Sequence, residues 1–531
     1  MAIVEHPDQQ GVTARILEIT STRAPWHRRL WRGGTIQMLR ELLSESATPG
    51  VSAAAIDDLK KYVLHALSSD PGIEDRGNTG RGTAVRAAIG AIKPGVTCES
   101  HAWVTLREHA ERMDRSYLTT WAREFDRGKP LDVESAARRI AAHILDAGYH
   151  KNSLYSWTHA AQRNDNTATF AEFLSEADDR LRRPERHYTF CVPVTTKPRF
   201  PVTESTAPGW LTAPDTAIWK RTYAGSAPPI RHQGAFLITV TAMDINSAAE
   251  RTRSRIADLE TKFHFGHRPL RIASQMWSKD KGDAFPTQST NRMLDVHAFE
   301  NLGCLQDLDM PGYITSALAL VHPVRTGAAH IAVMSGWSAI ESLLIGPADE
   351  GDVVAARRFA LIIAASMPRA ELTALAWEYA RTHNGALAAE LTGYEQNIDR
   401  ARRFQIHLRS GAPVTLNHEI DQLALDRLQP LLINPRREVS RIADILNREF
   451  VRLYRKRNLI VHGGHTHSTN LHAVTEMMSP LIGAGIDRIV HAGLKFGIRP
   501  IQLSATAEAK LHYLIPATAD NPGNLLDLLE P

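Results

Sequence analysis

Apolar residues recur at intervals of three and four along much of the chain, which is the spacing of one buried face of an α-helix. In the first part of the chain this pattern covers 51–68, 84–92, 102–126 and 134–148, and Gly, Pro and Asp residues separate the segments. The pattern therefore predicts a helical N-terminal domain at residues 1–180.

The pattern changes in residues 181–304. Tyr188–Val194 and Ala235–Ala242 are rich in β-branched and aromatic residues, which are typical of strands. The stretch 195–232 is rich in Pro, Thr and Ser and is typical of loops. Ser247–Glu250 has the form of a capping box and predicts the start of a helix. We therefore expect a small α+β domain at 181–304, which would serve as a spacer or a recognition module.

Helical spacing returns in residues 305–531. Four long segments carry it, at about 314–346, 352–382, 437–462 and 470–496. Four helices joined by loops favour a helical bundle. The predicted fold class is thus mainly α, with a small α+β middle region and a C-terminal four-helix bundle.

Composition narrows the class of protein. The chain has 62 Lys and Arg against 58 Asp and Glu, a formal net charge of +4, so a local basic patch fits better than a chain that coats nucleic acid throughout. Its three cysteines, Cys98, Cys191 and Cys304, are far apart, which makes a disulfide framework or a cysteine zinc site a poor expectation. No signal peptide is evident and no run of about 18 apolar residues occurs, so we expect a cytoplasmic protein without a membrane partner.

Candidate chemistry lies at the end of the 437–462 segment, where Arg457 and Asn458 are followed by His462. The spacing alone means little, because the same Arg–His interval recurs elsewhere in the chain. The context is more specific. Asn458 and His462 are four apart and share a helix face, and Gly463-Gly464 follows as a predicted helix end.

Two further features belong to this candidate site. Arg455 and Lys456 stand directly before Arg457, and a compact basic run suits an RNA phosphate backbone. In an upstream helix, Glu341 lies one step from the apolar stripe that includes Trp337. A carboxylate so close to a core face needs a partner, and Arg457 or another basic residue on the neighbouring helix could supply it.

These segments resemble the HEPN superfamily, especially its Apea-like branch. The resemblance rests on Ser338-Ala-Ile-Glu-Ser-Leu-Leu344 and Tyr454-Arg-Lys-Arg-Asn-Leu-Ile-Val-His-Gly463, and it covers about residues 310–515. Nothing in residues 1–300 resembles a known family. One position departs from the nucleotidylated HEPN toxins, which carry a tyrosine two residues after the histidine; here Gly464 occupies it.

The resemblance implies a metal-independent endoribonuclease that uses no cofactor. Two copies would form one composite cleft, in which the RNA 2′-hydroxyl attacks to leave a 2′,3′-cyclic phosphate and a 5′-hydroxyl. His462 would act as general acid and base, and Arg457 would stabilise charge on the phosphate. Asn458 would orient one of them, and Glu341 would hold Arg457.

The resemblance also implies a biological setting, a toxin or effector in prokaryotic antiviral defence. The protein would be a homodimer or higher oligomer through its C-terminal bundle, with residues 1–300 sensing or regulating. A phage-derived trigger or another defence subunit would be a further partner.

Two alternatives remain open at this stage. The first is a non-catalytic HEPN-like bundle that binds nucleic acid or a partner, or serves as a scaffold in a defence assembly, with Arg457 and His462 in structural roles. The second is a metal site at His462, His465 and His467 with His472, which is a weaker expectation because no Asp, Glu or Cys joins these histidines before Glu476.

Overall fold

A computed structural model describes residues 3–531 except 4, 6–9, 75–79, 129–130, 164–167, 197, 199–207, 269, 289–291, 352, 465–470 and 519. The chain is mainly helical, with 65% of residues in 20 described helices, and it has a five-stranded antiparallel sheet within residues 186–286. The predicted fold class, mainly α with a small α+β middle region, is confirmed.

The first eight helices precede the sheet. They are α1 (Val12–Thr20), α2 (Thr35–Ser46), α3 (Ala53–Ser69), α4 (Gly80–Ala91), α5 (His101–Asp126), α6 (Val133–Asp146), α7 (Lys151–Arg163) and α8 (Phe170–Leu181). The four helices predicted in this part correspond to α3–α6. The other four were not predicted.

The middle region alternates strands and helices. Its elements are β1 (Arg186–Pro193), β2 (Trp210–Thr212), α9 (Ala213–Tyr223), β3 (Gly234–Ala242), α10 (Ile245–Phe265), β4 (Gln275–Ser278) and β5 (Ala284–Pro286). The two predicted strands are β1 and β3. The prediction of loops throughout 195–232 was wrong at β2 and α9, where Thr212 accepts a hydrogen bond from the Asp215 amide and caps α9.

Nine longer helices and one short one follow. They are α11 (Ala298–Asn301), α12 (Gly312–Thr326), α13 (Ala329–Leu344), α14 (Val353–Thr382), α15 (Ala386–Gly393), α16 (Asn397–Arg409), α17 (Glu419–Ile433), α18 (Pro435–Gly463), α19 (Leu471–Phe496) and α20 (Pro500–Leu511). The four predicted segments are helical, but the first is divided into α12 and α13. Buried Arg292 donates to the carbonyl oxygens of Val324 and Gly327, at 3.0 and 2.8 Å, and so satisfies the backbone where α12 ends.

Contacts divide the chain into two units. The sheet unit comprises Ala147–Ser156 and Asp179–Asn291, and the helical unit comprises Met1–Asp146, Trp157–Asp178 and Arg292–Pro531. The N-terminal and C-terminal helices therefore belong to the same unit. The predicted boundaries at residues 180 and 304 mark changes in sequence pattern, whereas the two units are each formed from segments that are not contiguous.

The sheet unit has the strand order β2-β3-β1-β4-β5, with antiparallel neighbours. Tyr188 of β1 lies opposite Val240 of β3, and both are buried against α10. Helix α10 begins two residues before Ser247, because the Asp244 carboxylate accepts hydrogen bonds from the amides of Asn246 and Ser247. A single aspartate N-cap thus replaces the predicted capping box.

The helical unit is organised around α14. Its Phe359 is fully buried and meets Phe450 of α18 edge-to-face, with ring centroids 5.0 Å apart. Among the described helices, α14 alone has the length and apolar composition of a membrane span, and 78% of its most apolar window is buried by the rest of the protein. Its packing is that of a core helix.

A buried ionic network joins the two ends of the chain within the helical unit. Arg28 pairs with Glu18 of α1, Glu371 of α14 and Asp421 of α17, at 3.2, 2.7 and 2.7 Å. Arg15 adds a pair with Glu134 of α6 at 2.5 Å. These contacts connect α1 and α6 to each other and tie this end of the chain to α14 and α17 of the C-terminal part.

Candidate functional site

The candidate site lies at the C-terminal end of α18. An apolar stripe on this helix, which includes Val439, Leu446 and Phe450, is fully buried and fixes which face turns outward. The helix ends at Gly463, and Gly464 follows in the left-handed conformation with φ 65°, donating from its amide to the Ile460 carbonyl. The predicted double-glycine end is confirmed.

The last turns of α18 bring the predicted polar residues together. Arg457 and Asn458 are half-buried, His462 is exposed, and all three are within the helix. The Arg457 Nη1 donates to Asn458 Oδ1 at 2.9 Å. This bond orients the guanidinium, because its plane must follow the amide.

Helix α13 supplies the acidic partner that the sequence suggested. Glu341 Oε2 lies 3.9 Å from Arg457 Nη2, and both side chains remain about a quarter exposed. About one helical turn earlier on each helix, Trp337 and Tyr454 pack with ring centroids 4.9 Å apart. Helices α13 and α18 therefore contact each other at two successive turns. The long ion-pair distance leaves guanidinium N–H groups of Arg457 able to bind another anion.

The side chains at this site are of the types that bind phosphate and transfer protons. A guanidinium can donate two parallel hydrogen bonds to phosphate oxygens. An exposed imidazole can exchange protons with a hydroxyl near neutral pH. Both groups lie at one helix end, within five residues of each other.

Arg455 and Lys456 have a different environment from the one expected. Their side chains are only 8% and 5% exposed, and they point to α2. Arg455 Nε lies 3.0 Å from Glu45 Oε2, and Lys456 Nζ lies 3.4 Å from both Glu41 and Glu45. Both head groups are directed at α2 and away from solvent, which differs from the expected contact with an RNA backbone.

The same acidic helix face pairs with Arg452. Its guanidinium is bidentate to Glu41, with distances of 2.6 to 3.0 Å, and reaches Glu449 at 3.4 Å. Burial by itself would raise the pKa of Glu41, but Arg452 and Lys456 lower it to about 2. Burial would lower the pKa of Arg452, but Glu41 and Glu449 hold it well above its usual range. Glu41 and Arg452 are therefore both charged at neutral pH.

Arg457/His462 also differs in its environment from the other Arg–His pairs that have the same spacing in the sequence. At Arg138/His143 both residues are buried, and burial lowers the pKa of His143 to about 4. At Arg292/His297 the arginine is buried against backbone carbonyls.

Two further pairs of this spacing also differ from the candidate site in their placement or in their partners. Arg325 and His330 lie on different helices, α12 and α13. At Arg402/His407 the arginine pairs with Asp399 and Asp527, and burial lowers the pKa of the histidine. A sixth pair, Arg182/His187, has both residues exposed and its histidine in β1. Of the six pairs, Arg457/His462 alone combines a half-buried arginine with an exposed histidine on one helix.

The predicted histidine metal site falls partly on residues outside those described. His465 and His467 lie outside the described residues. Among the residues that are described, no group of three or more His, Cys, Asp or Glu is arranged to hold a metal ion. The three cysteines are free, and burial raises the pKa of Cys191 to about 12.

The residues that sequence reasoning missed are Glu41 and Glu45. They are four apart on α2, and their partners Arg452 and Lys456 are four apart on α18. The matched spacing is a visible signal of complementary helix faces. Nothing local links two segments about 410 positions apart, so the pairing could not be assigned from the sequence.

Comparisons with known proteins give no further support. No protein-family model matches the chain, and neither the curated proteins nor the solved structures contain a match. The arrangement of the site and the resemblance of two short segments are therefore the only pointers to function.

Proposed function

We propose that this chain is a metal-independent endoribonuclease of the HEPN type, acting in the cytoplasm as an effector of prokaryotic antiviral defence. The catalytic part is supported chiefly by one observation: Arg457, Asn458 and His462 share the accessible end of α18, with Glu341 of α13 beside the arginine. The defence role is supported by the resemblance alone.

In this proposal the RNA 2′-hydroxyl attacks the adjacent phosphorus and the 5′-oxygen of the next nucleotide leaves. The O2′–P bond forms as the P–O5′ bond breaks, giving a 2′,3′-cyclic phosphate and a 5′-hydroxyl. His462 exchanges the proton with a reacting oxygen. Arg457 donates to the non-bridging oxygens, whose charge grows in the transition state. Asn458 and Glu341 orient Arg457 through the contacts described above.

The reaction needs a base at the 2′-oxygen and an acid at the 5′-oxygen. One chain supplies a single His462 at this helix end. We therefore include a homodimer in the proposal, in which two copies of the α18 end face one RNA phosphate. Activity per chain should then fall when the protein is diluted below its dimer dissociation constant.

The test is cleavage of RNA by the purified chain in the presence of EDTA, with the product ends analysed for cyclic phosphate. His462→Ala and Arg457→Ala should each lower the cleavage rate by roughly 10² or more. His297→Ala is a matched control, because this histidine has the same spacing from an arginine and a side chain that is 63% exposed, yet lies elsewhere in the fold. Its cleavage rate should equal that of the wild type.

The competing function is a bundle that binds RNA or a partner without cutting, as a scaffold in a defence assembly. It is favoured if the wild type binds RNA and produces no cyclic-phosphate ends. Equal cleavage by the wild type and His462→Ala would also reject the proposed site.

A further inference from the structure

A small cavity lies between α18 and the α2–α3 pair, about two turns before the candidate site. Four arginines line it, Arg32, Arg448, Arg452 and Arg455, against two carboxylates, Glu41 and Glu449. The volume of the cavity that is open to water is about 30 Å³. Since about 10–15 Å³ accommodates one water by this measure, there is room for a small ion but not for a sugar or a base.

The two carboxylates in the wall are already used. Both oxygens of Glu41 accept from Arg452, and Glu41 also meets Lys456. Glu449 accepts from the Gly33 amide at 3.1 Å and pairs with Arg452. No acidic oxygen in the wall remains for the other three arginines.

The other three arginines are incompletely paired. Arg455 is bound to Glu45 through Nε, but its buried Nη1 has no hydrogen-bond partner. Arg448 lies over the Tyr62 ring, 5.2 Å from its centroid. Within the described chain, neither Arg448 nor Arg32 has a carboxylate at ion-pair distance. A buried guanidinium donor without an acceptor is unfavourable by itself, so this wall is arranged to receive one.

The surroundings carry the same excess of positive charge. Burial lowers the pKa of His65, and Arg448 and Arg32 lower it further. Burial and the nearby Arg139 also lower the pKa of Arg32. An anion in the cavity would offset the repulsion that these positive groups exert on His65 and Arg32.

We propose that this cavity binds a single small oxyanion of phosphate type, held by Arg32, Arg448 and the free Nη1 of Arg455. The group is either inorganic phosphate or the terminal phosphate of a nucleotide whose remainder stays outside. The proposal is independent of RNA cleavage. Its site shares α18 with the candidate active site but does not include Arg457, Asn458, His462 or Glu341.

The experiment is calorimetric titration of the full-length chain with sodium phosphate, at constant ionic strength set with chloride. Saturable binding of one phosphate per chain is expected. Arg448→Gln should weaken it at least about tenfold, because a charge-assisted contact is lost. Arg441→Gln is the control, since this arginine lies two turns earlier on the same helix with a side chain that is 56% exposed; it should bind like the wild type.

A parallel titration with adenosine monophosphate separates the two sources. Tighter binding of the nucleotide identifies a nucleotide phosphate as the ligand, and binding of phosphate alone identifies the free ion. Absence of saturable binding of either, or equal affinity in the wild type and Arg448→Gln, would overturn the proposal. Thermal denaturation of Arg448→Gln without ligand checks that the variant is folded.

Discussion

The middle and the end of α18 use the same residue types in opposite ways. In the middle, Arg452, Arg455 and Lys456 are buried and face the carboxylates of α2. At the end, Arg457 is a quarter exposed with one distant carboxylate, and His462 is in solvent. Successive residues on a helix are rotated by about 100°. A one-residue step therefore separates a structural cation from a chemically available one.

The difference has an energetic reason. Removing one partner of a buried ion pair leaves an uncompensated charge in a poorly solvated place, which is costly. A half-exposed ion pair is screened by water and contributes little. Substitutions in the middle of α18 should thus act on stability, and substitutions at its end should act on chemistry.

The largest stability effect is expected for Arg452→Met. It leaves Glu41 and Glu449 buried without their guanidinium partner, with Lys456 and Arg455 as the remaining cations near Glu41, so the free energy of unfolding should fall by about 3 kcal/mol or more. Urea denaturation measures it. Arg441→Met on the exposed face of α18 is the matched control, with an expected change below about 1 kcal/mol. Similar losses in the two variants would erase the contrast between buried and exposed cations.

Glu41→Gln should have a smaller effect that depends on pH. The pKa of Glu41 is lowered from 4.5 to about 2 in the folded chain. Its charged form therefore stabilises the fold above pH 4.5, and this contribution is lost as the pH falls towards 2. The variant should be less stable than the wild type by about 2 kcal/mol at pH 7, and the difference should shrink on acidification. A constant difference across this pH range would contradict the assignment.

Asp146→Asn tests a carboxyl whose pKa is shifted in the opposite direction from that of Glu41. Asp146 accepts from the Gly34 amide, and burial raises its pKa from 3.8 to about 7, although Arg452 opposes this. The protonated form is favoured on folding, so wild-type stability should decline as the pH rises from about 4 through 7. The side chain is only half-buried, so a gain of about 1 kcal/mol at pH 8 is expected for the variant. Parallel stability curves for the two proteins between pH 4 and 8 would rule out this role.

The smallest effect on stability belongs to His462→Ala, the variant expected to lose cleavage. Its side chain is exposed at the last turn, so the free energy of unfolding should change by less than about 0.5 kcal/mol. Thermal denaturation beside the cleavage assay is the measurement. A loss of more than about 2 kcal/mol would mean that His462 supports the fold, and the contrast along α18 would fail.

Part of this arrangement could be predicted from the sequence. The apolar stripe of α18, its end at Gly463 and Gly464, and the proximity of Glu341 to Arg457 all follow from local periodicity and from the need to pair a carboxylate. The short strands β4 and β5 could not be predicted. They are three or four residues long, too short for a periodic signal; β4 depends on pairing with β1, and β5 depends on pairing with β4.

The burial of Arg455 and Lys456 was unpredictable for a different reason. A basic run looks the same whether it faces solvent or an acidic helix, and the acidic helix is about 410 residues away in the chain. Only tertiary packing distinguishes the two cases. The same holds for Arg28, whose partners lie on α1, α14 and α17.

The long-range ion pairs also bear on how the protein is made. Arg28 and Glu41 are synthesised about 400 residues before their partners Asp421 and Arg452. Until then the N-terminal helices carry charged faces that are buried only in the finished chain. The contacts of the helical unit thus close late in synthesis, and a chain truncated near residue 300 lacks the counter-charges that its first helices require.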